Sequence, residues 1–359
     1  MNTATLPRGG NAGVGIGAAG VVIAGGFSIW QLMAHGHAAF NTTSNGLMWG
    51  LPIITYDFFL MTSAGLGIVA ALWTVFGIRD FEPSARRALW LALAMLAGGV
   101  ASLFLELGHP LRALWAIPLN LQVTAPLFWK VLAIGTFAVC LLVISAGWLR
   151  GTAERPGRGV SIVSLAAAVL IIFLGSMMYA TLPMRPFWYS GELPILFLVE
   201  GLLGALALLM LLGSPMGPGA GRTAALLVAL LLLLELGRLA VGFGSNVDGM
   251  QVWQALVASP LFWLKLVVCY AVALVLFARG AQGAAQSAAA LALLVGLFIG
   301  KYEFVVGGQV VPLFKGSWVR GLIPYAPSLT EWMLLVTSVF LAYAIYSFGA
   351  SRFGLGASR

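Results

Sequence analysis

The sequence predicts an all-α integral membrane protein with about ten transmembrane helices: two four-helix bundles related as a parallel repeat, plus two extra helices. Three observations predict it. Only 8% of the 359 residues are charged and 61% are hydrophobic, whereas a soluble domain carries about 25% charged residues. Ten apolar runs are long enough to cross a bilayer. Several short motifs recur in the same order along the chain.

Charged or turn-rich breaks delimit spans at 13–34, 48–77, 87–107, 125–148, 159–181, 192–213, 223–243, 260–278, 282–306 and 327–348. The apolar stretch after Arg8 continues to Met33. That is longer than the core of a secretory signal, and no small-residue cleavage site follows, so it is taken as the first span. The span at 282–306 is the most polar, since it holds Lys301 and Glu303.

Ten spans place both termini on one face. Its segments hold Arg8, Arg79, Arg86, Arg87, Arg150, Arg155, Arg158, Arg222, Arg279, Arg352 and Arg359. The loops of the other face hold only Arg112, Arg185, Lys315 and Arg320. By the positive-inside rule the arginine-rich face and both termini are cytoplasmic, as in a multi-pass protein of the bacterial inner membrane. This accounts for the net charge of +8. The basic residues are scattered, so the lipid bilayer is expected as a partner and nucleic acid is not. The opposite, periplasmic connections (35–47, 108–124, 182–191, 244–259 and 307–326) are longer and richer in Trp, Pro, Asn and His. Such loops build binding surfaces, and their Trp and Tyr also suit an interfacial belt.

The repeat rests on four matches. Leu-Pro-Ile at 51–53 returns at 193–195, and Leu-Glu-Leu-Gly at 105–108 returns at 234–237. Pro-Leu-Phe-Trp at 126–129 returns at 260–263, with Lys130 and Lys265 close behind, and Phe-Leu-Gly at 173–175 resembles Phe-Ile-Gly at 298–300. The single membrane domain, 1–359, thus divides into an extra helix (13–34), a first four-helix unit (48–181), a second unit (192–306) and an extra last helix (327–348). An even number of spans per unit makes the repeat parallel.

Ionisable residues inside spans are costly and mark candidate sites. They are Asp57, Glu106, Lys130, Glu200, Glu235, Lys265, Lys301 and Glu303, mostly in the periplasmic half of their helices. Glu106, Lys130 and Lys265 lie near helix ends, where snorkelling to the interface competes with a functional role. Asp57, Glu200 and Glu235 suit either a proton pathway or buried helix pairing. His35, His37 and His109 all map to the periplasmic side, outside the spans, so paired axial ligands for haem are absent. Each histidine suits a solvated loop or a bond to a ligand carbonyl. Cys140 and Cys269 are isolated in apolar runs, which suits packing and not a cluster. Tyr179 closes a span as an interface anchor or a hydrogen-bond donor, and Asn45 precedes one as a helix cap or a ligand contact. These residue types fit a quinone site, with an apolar slot and polar ends, but do not separate quinone from another amphipathic ligand. A secondary transporter or other ion-translocating protein is the alternative class, although the polar residues favour one face and no broken helix pair marks a midplane site.

Four stretches resemble the polysulfide reductase membrane subunits of NrfD type, in their longer, ten-helix form. NGLMWGLPIITYDFFLMTSAGLG at 45–67 resembles the opening helix of that family's four-helix unit, and LELGHPLRALW at 105–115 its acidic-Leu-Gly-basic-Pro loop. YATLPMRPFWYSGELPILFLVEGLLG at 179–204 resembles its Tyr-ending helix, loop and next helix, and Gly307-Gly308-Gln309 its last loop. The resemblance implies a quinone- or quinol-interacting anchor of a respiratory oxidoreductase, inactive alone, using menaquinone or ubiquinone and holding no haem or iron–sulfur cluster itself. It implies a ferredoxin-like iron–sulfur partner and a molybdopterin catalytic subunit on the periplasmic face. It places quinone near Asn45 and Tyr179 and suggests proton handling by Asp57; the residues themselves add Trp49 and His109 as candidate quinone contacts and Glu106, Glu200 and Glu235 as candidate proton carriers. Family members often carry a histidine close to the Asn45 position; here Gly46 follows, and no His occurs between Asn45 and Gly67.

Overall fold

The computed structural model describes residues 11–42, 46–151, 155–217, 219–312 and 321–355. Among them ten helices are long and apolar enough to span a membrane. With two short helices, they are numbered in chain order: α1 Ala12–Ala39, α2 Leu51–Thr74, α3 Arg79–Glu106, α4 Pro110–Leu119, α5 Pro126–Leu149, α6 Arg158–Ala180, α7 Leu193–Leu211, α8 Ala220–Phe243, α9 Val247–Ala258, α10 Pro260–Ala278, α11 Ala284–Gly307 and α12 Leu329–Arg352. Every expected span is present, with ends shifted by a few residues. The largest shift is in α3, where a 3-10 turn at Arg79–Phe81 leads into the regular helix that begins at Glu82 with Pro83 in its first turn.

Two connections expected to be irregular contain the short helices. Pro110 starts α4. Asn246 caps α9, its side chain accepting from the Gly249 N–H at 2.9 Å. Both lie at the end of the bundle that carries the longer connections. Leu111 and Trp115 of α4 are exposed, as suits a helix lying along a bilayer surface.

Helix α2 is the most buried span and packs on α3, α6, α7, α11 and α12. Lipid supplies no hydrophobic drive between helices, so close packing and interhelical hydrogen bonds hold them. Ser63 donates to the Ala92 carbonyl (2.6 Å) and Ser102 to that of Pro52 (2.8 Å), joining α2 to α3. Where α2 crosses α7, a Cβ on Gly65 would run into the Gly201 carbonyl. Gly65→Leu is therefore expected to abolish this crossing. Thermal melting of the purified protein should show a large drop in Tm, whereas Gly26→Ala, at an open position, should leave Tm nearly unchanged.

The added helices pack together, α1 along α12 and α12 along α3. The α12 carboxylate of Glu331, fully buried, ties this layer to the start of α2. It accepts from the backbone N–H of Asn41 (3.2 Å), Leu51 (3.3 Å) and Ser328 (2.7 Å) and from the Tyr325 hydroxyl (2.5 Å). Burial, and then the hydrogen bond to Glu331, pushes the Tyr325 phenol well above its usual range. At the opposite end Arg87 reaches the carbonyls of Leu355 and Leu212 and the Ser214 hydroxyl, fastening the chain after α12 to α3 and the α7–α8 connection.

Candidate functional site

Three helices deliver charge to one buried point. Asp57 lies in the second turn of α2, Lys130 in the second turn of α5 and Tyr179 in the last turn of α6. Helix polarity alternates, so all three sit at the same end of the bundle. Lys130 Nζ is 3.3 Å from Asp57 Oδ1, and the Tyr179 hydroxyl donates to Asp57 Oδ2. Lys130 Nζ also lies 4.9 Å from the centre of the Tyr56 ring. Asp57 and Lys130 are each 1% exposed and Tyr179 2%. A charge taken out of water is stable only when paired and hydrogen-bonded, and each member here completes the others. Lys130 is thus a buried ion-pair partner and does not snorkel.

An aromatic cluster covers this group. The Tyr179 ring meets Trp49 (5.7 Å), Trp188 (5.0 Å), Phe304 (5.0 Å) and Phe197 (5.9 Å) between centroids. Trp49 stacks on Trp188 at 5.5 Å and 25°. The Trp188 indole donates to the Phe304 carbonyl (2.7 Å), and Gly308 leaves the room that this ring needs. Trp49 is half-buried and the neighbouring Met48 exposed, so this edge joins the cluster to the surroundings.

Two polar side chains fix that edge. Gln309 Oε1 accepts from the N–H of Met48 and of Trp49 (2.9 Å each), while its Nε2 donates to the carbonyls of Trp49 (3.0 Å) and Val305 (2.9 Å). The Arg185 guanidinium donates to the carbonyls of Gly46 and Val311 (2.8 Å each). Burial lowers the pKa of Arg185 from its ordinary value. Asn45 itself lies outside the described residues.

A second buried charge layer adjoins the first through shared rings. Lys301 Nζ is 2.6 Å from Glu200 Oε2 and 3.6 Å from the Phe197 ring centre. Lys265 Nζ is 3.4 Å from Glu235 Oε2 and 2.7 Å from Glu303 Oε2. Arg238 pairs with Glu192 at 3.2 Å and lies 5.1 Å from the Phe187 ring centre. The two tryptophans before Lys130 and Lys265 behave alike: Trp129 donates to the Val123 carbonyl (2.8 Å) and Trp263 to that of Val257 (2.9 Å).

Of the sequence-predicted residues, Trp49, Asp57 and Tyr179 are therefore in contact. Glu200 lies one ring away, and Glu235 belongs to the Lys265 group. His109 is exposed and Glu106 half-buried, and among the described residues neither bonds to Asp57, Lys130 or Tyr179. Sequence reasoning did not anticipate Trp188, Phe197, Phe304 or Arg185 as site builders. Lys130 and Gln309 did carry signals, one in the repeated Pro-Leu-Phe-Trp motif and one in Gly-Gly-Gln. Among the described residues no group of three or more His, Cys, Asp or Glu is placed to hold a metal ion. Cys140 and Cys269 are free and buried.

The family model described as polysulphide reductase, NrfD matches residues 39–312. The chain is 22% identical to a selenate reductase subunit of Mesobacillus selenatarsenatis, over 91% of this chain and 90% of that one. It is also 22% identical to the Hdr-like menaquinol oxidoreductase integral membrane subunit of Archaeoglobus fulgidus, over 88% of this chain and 87% of that one.

Proposed function

The chain belongs to the polysulphide reductase NrfD family, and on that premise we propose that it is the quinol-interacting membrane subunit of a respiratory oxidoreductase complex. The observation that carries this reading is the buried Tyr179–Asp57–Lys130 group beneath the Trp49–Trp188 stack. Its donor set fits a quinone head group. Two donors and one carboxylate stand at one end of an apolar, aromatic wall, the combination an amphipathic ring with carbonyl oxygens requires. One name among the relatives, a menaquinol oxidoreductase subunit, points the same way; either menaquinone or ubiquinone suits the wall.

Quinol would supply two electrons and two protons; the chain positions it and handles the protons. The Trp49–Trp188 stack offers a flat apolar face, held rigid by Gln309 and Arg185. Asn45, the residue before the clamped Gly46 in the sequence, is assigned a further polar contact to the head group. The Tyr179 oxygen, whose own proton is donated to Asp57, accepts from the quinol hydroxyl and relays its proton to Asp57, held ready by Lys130. Glu106 and His109, nearer the surface, carry protons between Asp57 and solvent. Glu200 and Glu235 extend the proton route into the second unit. The matched tryptophan contacts before Lys130 and Lys265 support two parallel four-helix units, 48–181 and 192–306, flanked by the helices at 13–34 and 327–348.

The site lies at the end opposite Arg150, Arg155 and Arg158. With the arginine-rich end and both termini cytoplasmic, electrons pass to an iron–sulfur partner on the periplasmic face of the bacterial inner membrane, and through it to a molybdopterin catalytic subunit. The test is quinol-dependent turnover of the intact complex carrying Tyr179→Phe or Asn45→Ala. Both should impair it, and unchanged rates in both would show the site to be misplaced.

A further inference from the structure

The second charge layer holds one more carboxylate than it has cations to match. Lys301 is matched by Glu200 and Arg238 by Glu192, at 2.6 and 3.2 Å. Lys265 alone faces both Glu235 and Glu303. Arg238, whose charge also acts on Lys265, is taken up by Glu192, and among the described residues the neighbours Tyr270, Cys269 and Tyr302 add no cation. Tyr270 and Cys269 of α10 are neutral, the Tyr270 hydroxyl donating to the Gly296 carbonyl (3.1 Å). Tyr302 stacks against Tyr325. On α2, Asp57 already has Lys130, and Asp248 at the start of α9 is itself partnered.

Glu303 is 5% exposed. Although Lys265 Nζ stands 2.7 Å from its Oε2, neither Glu303 oxygen completes a hydrogen bond of good geometry. With both carboxyl groups ionised, two buried anions would share the one Lys265 ammonium. Two close carboxyl groups sharing one cation in low dielectric retain a proton between them. Lys265 sits in a π-helical stretch, Leu264–Ala271, an uncommon widening of the helix that is frequent at functional positions.

We propose that Glu303, Lys265 and Glu235 form a one-proton exchange site, in which the two carboxyl groups share a single proton. When the Lys265 ammonium shifts its pairing from one carboxylate to the other, the proton crosses in the opposite direction, and the net charge of the group stays constant. Glu303 precedes Phe304 on α11, and the Phe304 ring touches Tyr179 while its carbonyl receives the Trp188 indole. The exchange site is therefore one residue from the aromatic cluster. It stands independently of the quinol reading, because its test uses no quinone.

The test is infrared difference spectroscopy of the full-length protein in lipid, in H2O and D2O, without added quinone. The wild-type minus Glu303→Gln spectrum should contain one carbonyl band of a protonated, deuterium-sensitive carboxylic acid. Glu235→Gln should remove the same band, because a single remaining carboxylate is matched by Lys265 and ionises. Lys265→Met, leaving two carboxyls and no cation, should add a second band. If the Glu303→Gln difference shows only ionised carboxylate bands, or if Glu235→Gln keeps the acid band, the proposal is overturned. A sodium ion in place of the proton would give the first of those results.

Discussion

Quinol-dependent turnover should fall by about 10²-fold or more in Tyr179→Phe, the range in which removal of a positioned proton donor or acceptor typically acts. The variant deletes one oxygen and keeps the ring contacts with Trp49, Trp188 and Phe304, so folding and assembly should survive. What is lost is the hydrogen bond to Asp57. Among the described residues Asp57 then keeps only Lys130 as a bonded partner, and the substrate loses its orienting contact. Turnover with an artificial electron donor that feeds the iron–sulfur partner directly should be unchanged. Equal loss with both donors would indicate a structural role for the phenol instead.

Lys130→Met should be the most destabilising single substitution at this site. It leaves the Asp57 carboxylate buried without a cation, and breaking such a pair costs about 3–5 kcal/mol. The pair as a whole contributes far less, because its attraction is offset by desolvation of both groups. The double variant Asp57→Asn, Lys130→Met should therefore regain most of the stability lost in Lys130→Met alone. Detergent-melting curves of the single and double variants check this. A double variant as unstable as the single one would show that Lys130 stabilises through packing against Tyr56 and not through charge. Turnover should stay low in the double variant, since the acceptor is gone.

The spans were legible because bilayer thickness and apolar run length leave few alternatives. The short helices α4 and α9 were not, because Pro, Trp and Asn in such segments signal a loop and an interfacial helix alike. At the site, Asp57 and Tyr179 could be singled out individually, one as an intramembrane charge and one as a phenol ending a span. Their contact could not, since 122 residues separate them. Lys130 looked like a snorkelling lysine because it is near a helix start, and only the packing of α5 against α6 and the neighbouring helices shows its ammonium turned inward. His109 drew attention as the basic residue of the Glu-Leu-Gly-His-Pro motif; it is exposed, as an isolated loop histidine commonly is. Gln309 is the converse case. A neutral side chain in a glycine-rich stretch carries no electrostatic signal, yet its four hydrogen bonds hold the Trp49 segment.

The most direct test of the central claim, that quinol binds against the Trp49–Trp188 stack above Tyr179 and Asp57, is photolabelling of the intact complex with an azido-quinone, followed by peptide mapping. Label displaced by excess quinol should fall on the peptides carrying Met48–Trp49 and Tyr179–Trp188. Displaceable label confined to the Arg155–Val160 end, or to the Glu235 and Lys265 helices, would contradict it.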